Sequence, residues 1–134
     1  MASDEAEVLA VNAAFYGAFA RRDLAAMDDL WARHAGVACV HPGWDAVRGR
    51  AEVLASFRAI LTSPSAPAIF VTRPRATVLG DAAFVVCAES VDGNELVATN
   101  LFVREDGAWR LVMHQAGPIA RREAPKRTPP TVLN

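Results

Sequence analysis

His41 is the residue of this sequence best suited to acid–base chemistry. An imidazole titrates near neutral pH, so it can accept or donate a proton under working conditions. The short apolar run 37–41 predicts a strand that ends at Pro42 and Gly43, because proline lacks a backbone donor and glycine permits a turn. A side chain at such a strand end is held firmly enough to act on a bound molecule. The alternative is that His41 only bonds to backbone beside Pro42.

Asn100 is the second candidate, because it interrupts an otherwise apolar stretch. A buried amide must find partners and offers both a donor and an acceptor, so Asn100 either contacts a ligand or bridges strands. Strand alternation places Gln115 on the same face as Trp109 and Leu111, which is apolar and therefore expected to be concave and ligand-facing. The same alternation places His114 on the convex side, at a subunit interface or in solvent.

Aromatic side chains are available to wall a cavity beside these groups. Trp44 follows His41 in a predicted loop, where a tryptophan has less reason to be core and could cover an apolar ligand. Phe15 and Phe57, at helical spacing, fit plain core as well. Glu89 is a lone acid in an apolar run and is either a buried site acid or an outward one. The predicted ligand-binding residues are Phe15, Tyr16, Trp31, His41, Trp44, Phe57, Asn100, Phe102 and Gln115.

Metal, cofactor and nucleic-acid chemistry find little support in the sequence. Cys39 and His41 share a strand face, but no CxxC, HxxxH or HExxH motif accompanies them. The sequence contains no GxSxG, Walker A or GxGxxG motif. Basic and acidic residues nearly balance, at 14 and 15, which disfavours a nucleic-acid partner. We therefore expect no metal, no cofactor and a small apolar molecule as the ligand.

The composition fits one folded domain. The 134 residues are 52% hydrophobic, which excludes global disorder and allows a sizeable core. No apolar run approaches the roughly 18 residues that a membrane-spanning helix needs. The acidic start lacks the layout of a signal peptide, and Cys39 and Cys87 form no disulfide framework. These features predict a cytoplasmic protein without a membrane partner.

Helices must hold part of the site. Ser3 is expected to cap the first helix, whose apolar residues recur three and four apart from Val8 to Phe19. Asp23 is expected to cap a second, shorter helix. A third helix is predicted at about Arg50–Leu61, and the segment 44–49 before it is interpreted as a loop.

Strands follow the helices. Asp-Gly and Gly-Asp pairs separate the runs Ile69–Leu79, Ala82–Val91, 96–104 and 109–115, and such pairs are strong hairpin signals. The runs predict a four-stranded antiparallel meander, with Pro74 at an edge position or a bulge. Helices ahead of such a sheet predict an α+β domain over residues 1–120, with a curved sheet wrapped around the helices. The polar, proline-rich segment 121–134 is expected to be a flexible arm.

Three segments resemble the nuclear transport factor 2-like superfamily, which includes ketosteroid isomerases and polyketide cyclases of the SnoaL type. They are 22–31 (RDLAAMDDLW), 41–50 (HPGWDAVRGR) and 100–111 (NLFVREDGAWRL), and the resemblance covers residues 5–119. It implies a cone-shaped, cystatin-like α+β barrel. It implies no single activity, because this fold hosts isomerases, cyclases, dehydratases and plain binders.

The ketosteroid isomerase site shows what the resemblance implies for individual residues. His41 stands where that family has its catalytic aspartate, before a proline, and Asn100 stands where it has a protonated aspartate in the oxyanion hole. Phe15 replaces the oxyanion-hole tyrosine, although Tyr16 is the next residue. These differences argue against ketosteroid isomerisation and leave a polar site in the same cavity.

Two functions stay open from the sequence. The chain could bind a small apolar carbonyl or hydroxyl compound. As an enzyme it would be a cofactor-free isomerase, cyclase or dehydratase, with His41 as acid or base and Asn100 and Tyr16 stabilising charge on oxygen. The alternative is a non-catalytic ligand-binding or dimerisation module, favoured by Phe15 in place of a tyrosine. Family members commonly pair through the outer sheet face, and the outward residues of 97–103 permit a homodimer through this convex face.

Overall fold

A computed structural model describes residues 2–120 of the chain. The predicted arm at 121–134 lies outside the described residues. The described helices are α1 (Asp4–Arg21), α2 (Leu24–Leu30) and α3 (Arg50–Leu61). The strands are β1 (Ala38–Val40), β2 (Val47–Arg48), β3 (Ile69–Leu79), β4 (Ala82–Val91), β5 (Asn94–Glu105) and β6 (Ala108–Pro118).

Side-chain caps begin the first two helices, as the sequence predicts. Ser3 Oγ accepts a hydrogen bond from the backbone N–H of Ala6 at 3.1 Å, and Asp23 Oδ1 accepts one from Ala26 at 3.0 Å. Arg22, between the two helices, adopts the left-handed conformation (φ 55°) that ends α1. These short-range signals fix where α1 and α2 begin, and α1 then packs against β3, β4 and α2.

The sheet has the strand order β2-β1-β6-β5-β4-β3, and β3 to β6 form the predicted antiparallel meander. The sheet as a whole is mixed, because β1 pairs with β6 in parallel. The interpretation of 44–49 as a loop is wrong in part, since Val47 and Arg48 pair with β1 as the strand β2. A strand of two residues is too short to show an alternating pattern in a sequence. The result is an α+β cone, with the helices on the concave face of a curved sheet.

Pro74 occupies both of the positions predicted for it. Its strand, β3, lies at the edge of the sheet, and the pairing with β4 shifts between Thr72 and Arg75. Arg73 has a left-handed φ of 55° at this bulge. An edge bulge tolerates proline because no ladder hydrogen bond is required from its nitrogen.

A second bulge changes which residues of β6 face the helices. Phe102 pairs with Leu111 and Leu101 pairs with Met113, so Val112 is the extra residue. One extra residue reverses the side on which every later side chain lies. His114 is therefore buried on the concave face, and Gln115 is exposed. The predicted placements of both residues, Gln115 facing the cavity and His114 outside it, are wrong for this reason.

Aromatic side chains fill the centre of the cone. Phe15, Trp31, Phe57 and Phe102 are all buried, and the ring centroids of Phe15, Trp31 and Phe57 lie 5.8–6.5 Å apart. The convex face instead exposes apolar side chains, those of Phe70, Val86, Val97 and Leu101. Within residues 2–120, no helix has the length and apolar character needed to cross a membrane.

Candidate functional site

Polar side chains share one cross-strand row on the concave face of the sheet. Cys39 of β1 pairs with His114 of β6, and His114 pairs with Asn100 of β5. Residues opposite one another on adjacent strands bring their side chains within contact distance. The row therefore places an imidazole, an amide and a thiol side by side beneath the helices.

Asn100 is the hub of a hydrogen-bonded group that we call the Asn100 cluster: Asn12, Tyr16, Glu89, Asn100 and His114. Its Nδ2 donates to Asn12 Oδ1 at 2.8 Å and to Tyr16 Oη at 3.1 Å. Its Oδ1 accepts from His114 Nδ1 at 2.6 Å. An amide nitrogen has two hydrogens, and both are used here. Asn100 thus joins α1 to the sheet. This geometry is close to the sequence-based alternative in which Asn100 bridges strands. The catalytic role predicted for Asn100 stays a prediction.

Glu89 faces inward in the same cluster. Tyr16 Oη donates to Glu89 Oε2 at 2.6 Å, and only 2% of the Glu89 side chain is exposed. Burial raises the pKa of this carboxyl, and the hydrogen bond from Tyr16 opposes part of that rise. Burial and the Glu89 charge likewise raise the pKa of the Tyr16 phenol. The cluster therefore keeps Tyr16 protonated and buries a carboxyl of raised pKa inside the cone.

His41 anchors a second group, the His41 cluster: Cys39, His41, Trp44 and Ser56. Its ring is 5% exposed, and its Nε2 lies 2.9 Å from Ser56 Oγ. The ring centroids of Trp44 and Phe57 lie 4.7 Å and 4.9 Å from that of His41, so two aromatic rings hold it. Burial lowers the pKa of His41 to about 4, which makes the imidazole neutral at physiological pH.

Two phenylalanines stand between the two clusters. Phe15 lies 5.0 Å from the ring of His114 and 5.8 Å from Phe57, which in turn contacts His41. Burial, with a smaller contribution from nearby His41, lowers the pKa of His114 to about 3. Both imidazoles are therefore neutral in the folded protein, and an apolar ring pair separates them.

Trp44 differs from the other predicted aromatic residues. It is 46% exposed, while Phe15, Trp31, Phe57 and Phe102 are core residues. A groove of about 310 Å³ opens beside it, lined by Trp44, Ala59, Ile60, Ser63, Ser65, Ala66 and Pro67. Because Trp44 contacts His41 and also lines this groove, it stands between the imidazole and the surface.

Ser56 is the residue that sequence reasoning missed. It lies on α3 between Val53 and Phe57, and a serine inside an amphipathic helix carries no motif. The available signal was its position three residues after buried Val53, which places a hydroxyl on the apolar face. Among residues 2–120, His, Cys, Asp and Glu side chains form no group of three or more that could hold a metal ion.

Comparisons with known proteins give consistent results. The family model of the SnoaL-like domain matches residues 8–120. A structure from Streptomyces avermitilis, provisionally named a dehydratase of the NTF2-like (nuclear transport factor 2-like) family, is 35% identical with a TM-score of 0.81, covering 88% of this chain and 97% of the other. A structure from Thiobacillus denitrificans, provisionally named a calcium/calmodulin-dependent protein kinase type II association domain, is 31% identical with a TM-score of 0.74, covering 84% and 94%.

A curated relative is longer than this chain. The F-box protein SKIP8 of Arabidopsis thaliana is 29% identical over 111 residues, which are 81% of this chain and 48% of that protein. The chain thus spans about half the length of the curated relative that it matches.

Proposed function

This chain belongs to the SnoaL-like domain family of the nuclear transport factor 2-like superfamily, and we propose that it binds a small, largely apolar molecule and moves a proton on it through His41. The molecule carries a carbonyl or hydroxyl group. The reaction is a cofactor-free isomerisation, cyclisation or dehydration, since proton transfer alone can drive each of them. The observation that carries the proposal is a neutral, buried imidazole behind an exposed tryptophan at a groove.

The groove supports an apolar ligand. Ile60, Ala66 and Pro67 line it together with the indole of Trp44. Its volume of about 310 Å³ is at the lower end of the range of small-molecule sites, which is about 300–1,000 Å³. The ring centroids of Trp44 and His41 lie 4.7 Å apart, so a ligand that displaced Trp44 would come against His41.

His41 is unprotonated at neutral pH, so its ring is free to accept a proton. The imidazolium formed by proton transfer would be a stronger acid than a free imidazolium, so it returns the proton readily. Asn100 has both amide hydrogens bonded to Asn12 and Tyr16, so we assign it the positioning of α1 and His114 instead of direct charge stabilisation. The relative from Streptomyces avermitilis that is named a dehydratase supports the reaction class.

The test has two stages. A thermal-shift screen of apolar ketones and alcohols should find compounds that raise the melting temperature, because binding to the native state stabilises it. Turnover of the compounds found is then compared for His41→Gln and His34→Gln. We expect His41→Gln to lower turnover by about 10²–10⁴-fold. His34 is an exposed surface residue and its variant serves as the matched control. Equal turnover in the two variants would reject His41 as the acid–base residue.

The second candidate function is a non-catalytic module that associates through the convex sheet face. Exposed Val97 and Leu101 on the central strand β5, with Val86 beside them on β4, favour it. The relative named an association domain agrees with this alternative. With either function, we propose a homodimer whose two sheets meet at their convex faces.

A further inference from the structure

The hydroxyl of Ser56 has a fixed direction. Ser56 Oγ lies 2.6 Å from the backbone oxygen of Val53, one turn earlier in α3. A carbonyl oxygen only accepts, and a serine hydroxyl carries a single hydrogen, so Ser56 donates that hydrogen to Val53. Ser56 Oγ is left with lone pairs for any further partner.

This direction decides the contact with His41. Since Ser56 Oγ can only accept, His41 Nε2, 2.9 Å away, must be the donor and must carry a proton. A neutral imidazole has one N–H, so the proton on Nε2 leaves Nδ1 with a free lone pair. The rings of Trp44 and Phe57 pack against the imidazole at interplanar angles of 64° and 74°, and these contacts restrict its rotation.

Cys39 does not compete for the Nδ1 lone pair. Its Sγ lies 3.8 Å from Nδ1 and 3.6 Å from Nε2 of His41. An atom in line with one lone pair would lie much farther from the other nitrogen, because the two nitrogens point to opposite sides of the ring. Nearly equal distances therefore place the sulfur off both nitrogen directions. Within residues 2–120, no other side chain makes a hydrogen bond to Nδ1.

We propose that Ser56 is a positioning residue that holds the proton of His41 on Nε2, so that Nδ1 is the atom that accepts the proton of the bound molecule. The lone pair of Nδ1 forms the new N–H bond as the C–H bond next to the carbonyl breaks. The electron pair of that C–H bond forms a double bond to the carbonyl carbon, and the π electron pair of the carbonyl moves onto its oxygen. The imidazolium then returns the proton to another atom of the same molecule, and nothing else is consumed. The use of Nδ1 rests on the proposed function; the tautomer does not.

The tautomer can be measured without any ligand. Long-range ¹H–¹⁵N NMR of the ¹⁵N-histidine-labelled protein at pH 7 separates a protonated ring nitrogen from an unprotonated one. We expect His41 in the wild type to show one state, with the proton on Nε2 and with that proton protected from solvent exchange. A proton on Nδ1 would overturn the inference.

Variants then test the part played by Ser56. In Ser56→Ala we expect a detectable share of the Nδ1–H form, convergence of the two ¹⁵N shifts and faster exchange of the Nε2 proton. Ser56→Thr, which retains the hydroxyl, should restore the wild-type pattern, and Ser65→Ala, an exposed serine, should not alter it. Ser56→Cys provides a poor acceptor of similar size if Ser56→Ala does not fold. A wild-type pattern in Ser56→Ala or in Ser56→Cys would refute the positioning role.

The experiments distinguish failure of the tautomer assignment from failure of the proposed function. A proton on Nδ1 together with loss of turnover in His41→Gln would remove this inference and leave His41 as the acid–base residue through Nε2. The expected tautomer together with full turnover in His41→Gln would remove the proposed function and leave the assignment of Ser56 intact. If the tautomer assignment and the proposed function are both correct, Ser56→Ala should lower kcat more than it changes KM, because substrate binding does not depend on the tautomer.

Discussion

Asn100 shows how much structure a single buried amide can specify. It contacts one side chain on the neighbouring strand, His114, and two on α1, Asn12 and Tyr16. A buried polar group that lacks a hydrogen-bond partner lowers the stability of the folded protein. The amide therefore fixes the position of α1 over the sheet as well as the ring orientation of His114.

The first prediction concerns this amide. Asn100→Leu should lower the free energy of unfolding by about 2–4 kcal/mol, because it leaves several buried polar groups without a partner. The matched control is Asn94→Leu, at an exposed position of the same strand, where the change should stay within about 0.5 kcal/mol. Urea denaturation measures both values. Similar losses in the two variants would show that the Asn100 cluster does not contribute to stability in this way.

At the residue scale the sequence identified anomalies but not partners. His41 before Pro42, Asn100 in an apolar strand and Trp44 in a loop each break a local pattern, so each could be singled out. Ser56 differs from its surroundings only as a hydroxyl on the apolar face of α3, which alone does not single it out as a site residue. Its contact with His41 joins α3 to the segment after β1, and a single sequence carries no signal for such a pair.

The elements of the sheet were largely predictable because the turns have clear signals. Asp106 and Gly107 both adopt left-handed φ values, 52° and 79°, as the two-residue loop between β5 and β6 requires. The bulge at Val112 was not predictable, since Val112 and Met113 are both apolar and either could occupy the inner position. That single residue decides that His114 and not Gln115 reaches the site.

The second prediction tests the turn that sets this register. Gly107→Ala should lower the free energy of unfolding by about 1–2 kcal/mol, because a residue with a Cβ is disfavoured at a left-handed φ. Gly36→Ala is the control, since Gly36 has no left-handed φ and a Cβ there would meet open space. Thermal or urea denaturation compares the free energies of unfolding of the two variants. Equal stability of the two variants would mean that the turn geometry is relaxed in solution.

At the scale of the whole molecule, the sequence predicted the α+β architecture and the order of its main elements. It did not predict that β1 lies parallel to β6, because pairing between distant segments leaves no local pattern. The parallel pairing is what places Cys39 next to His114 and carries His41 into the cone. The convex face is the other large feature, and its exposed apolar residues are unusual for a surface that only meets water.

The third prediction addresses the convex face. The wild-type protein should sediment at twice the mass of the chain at micromolar concentration, and the double variant Val97→Lys, Leu101→Lys should sediment as a monomer. Both side chains are exposed, 45% and 39%, so the folded monomer should tolerate the change while charge opposes burial at an interface. Ala14→Lys, on an exposed position of α1, should remain dimeric. A wild-type monomer would rule out the homodimer.

The central claim is that His41 is a neutral base at the place where a small molecule binds. NMR titration of the His41 ring, with and without a compound found in the thermal-shift screen, tests it most directly. Burial lowers the pKa of His41 to about 4, so the free protein should show a midpoint well below the ordinary value of about 6.5, and the bound compound should shift it further. A midpoint near 6.5 that the compound leaves unchanged would contradict the claim.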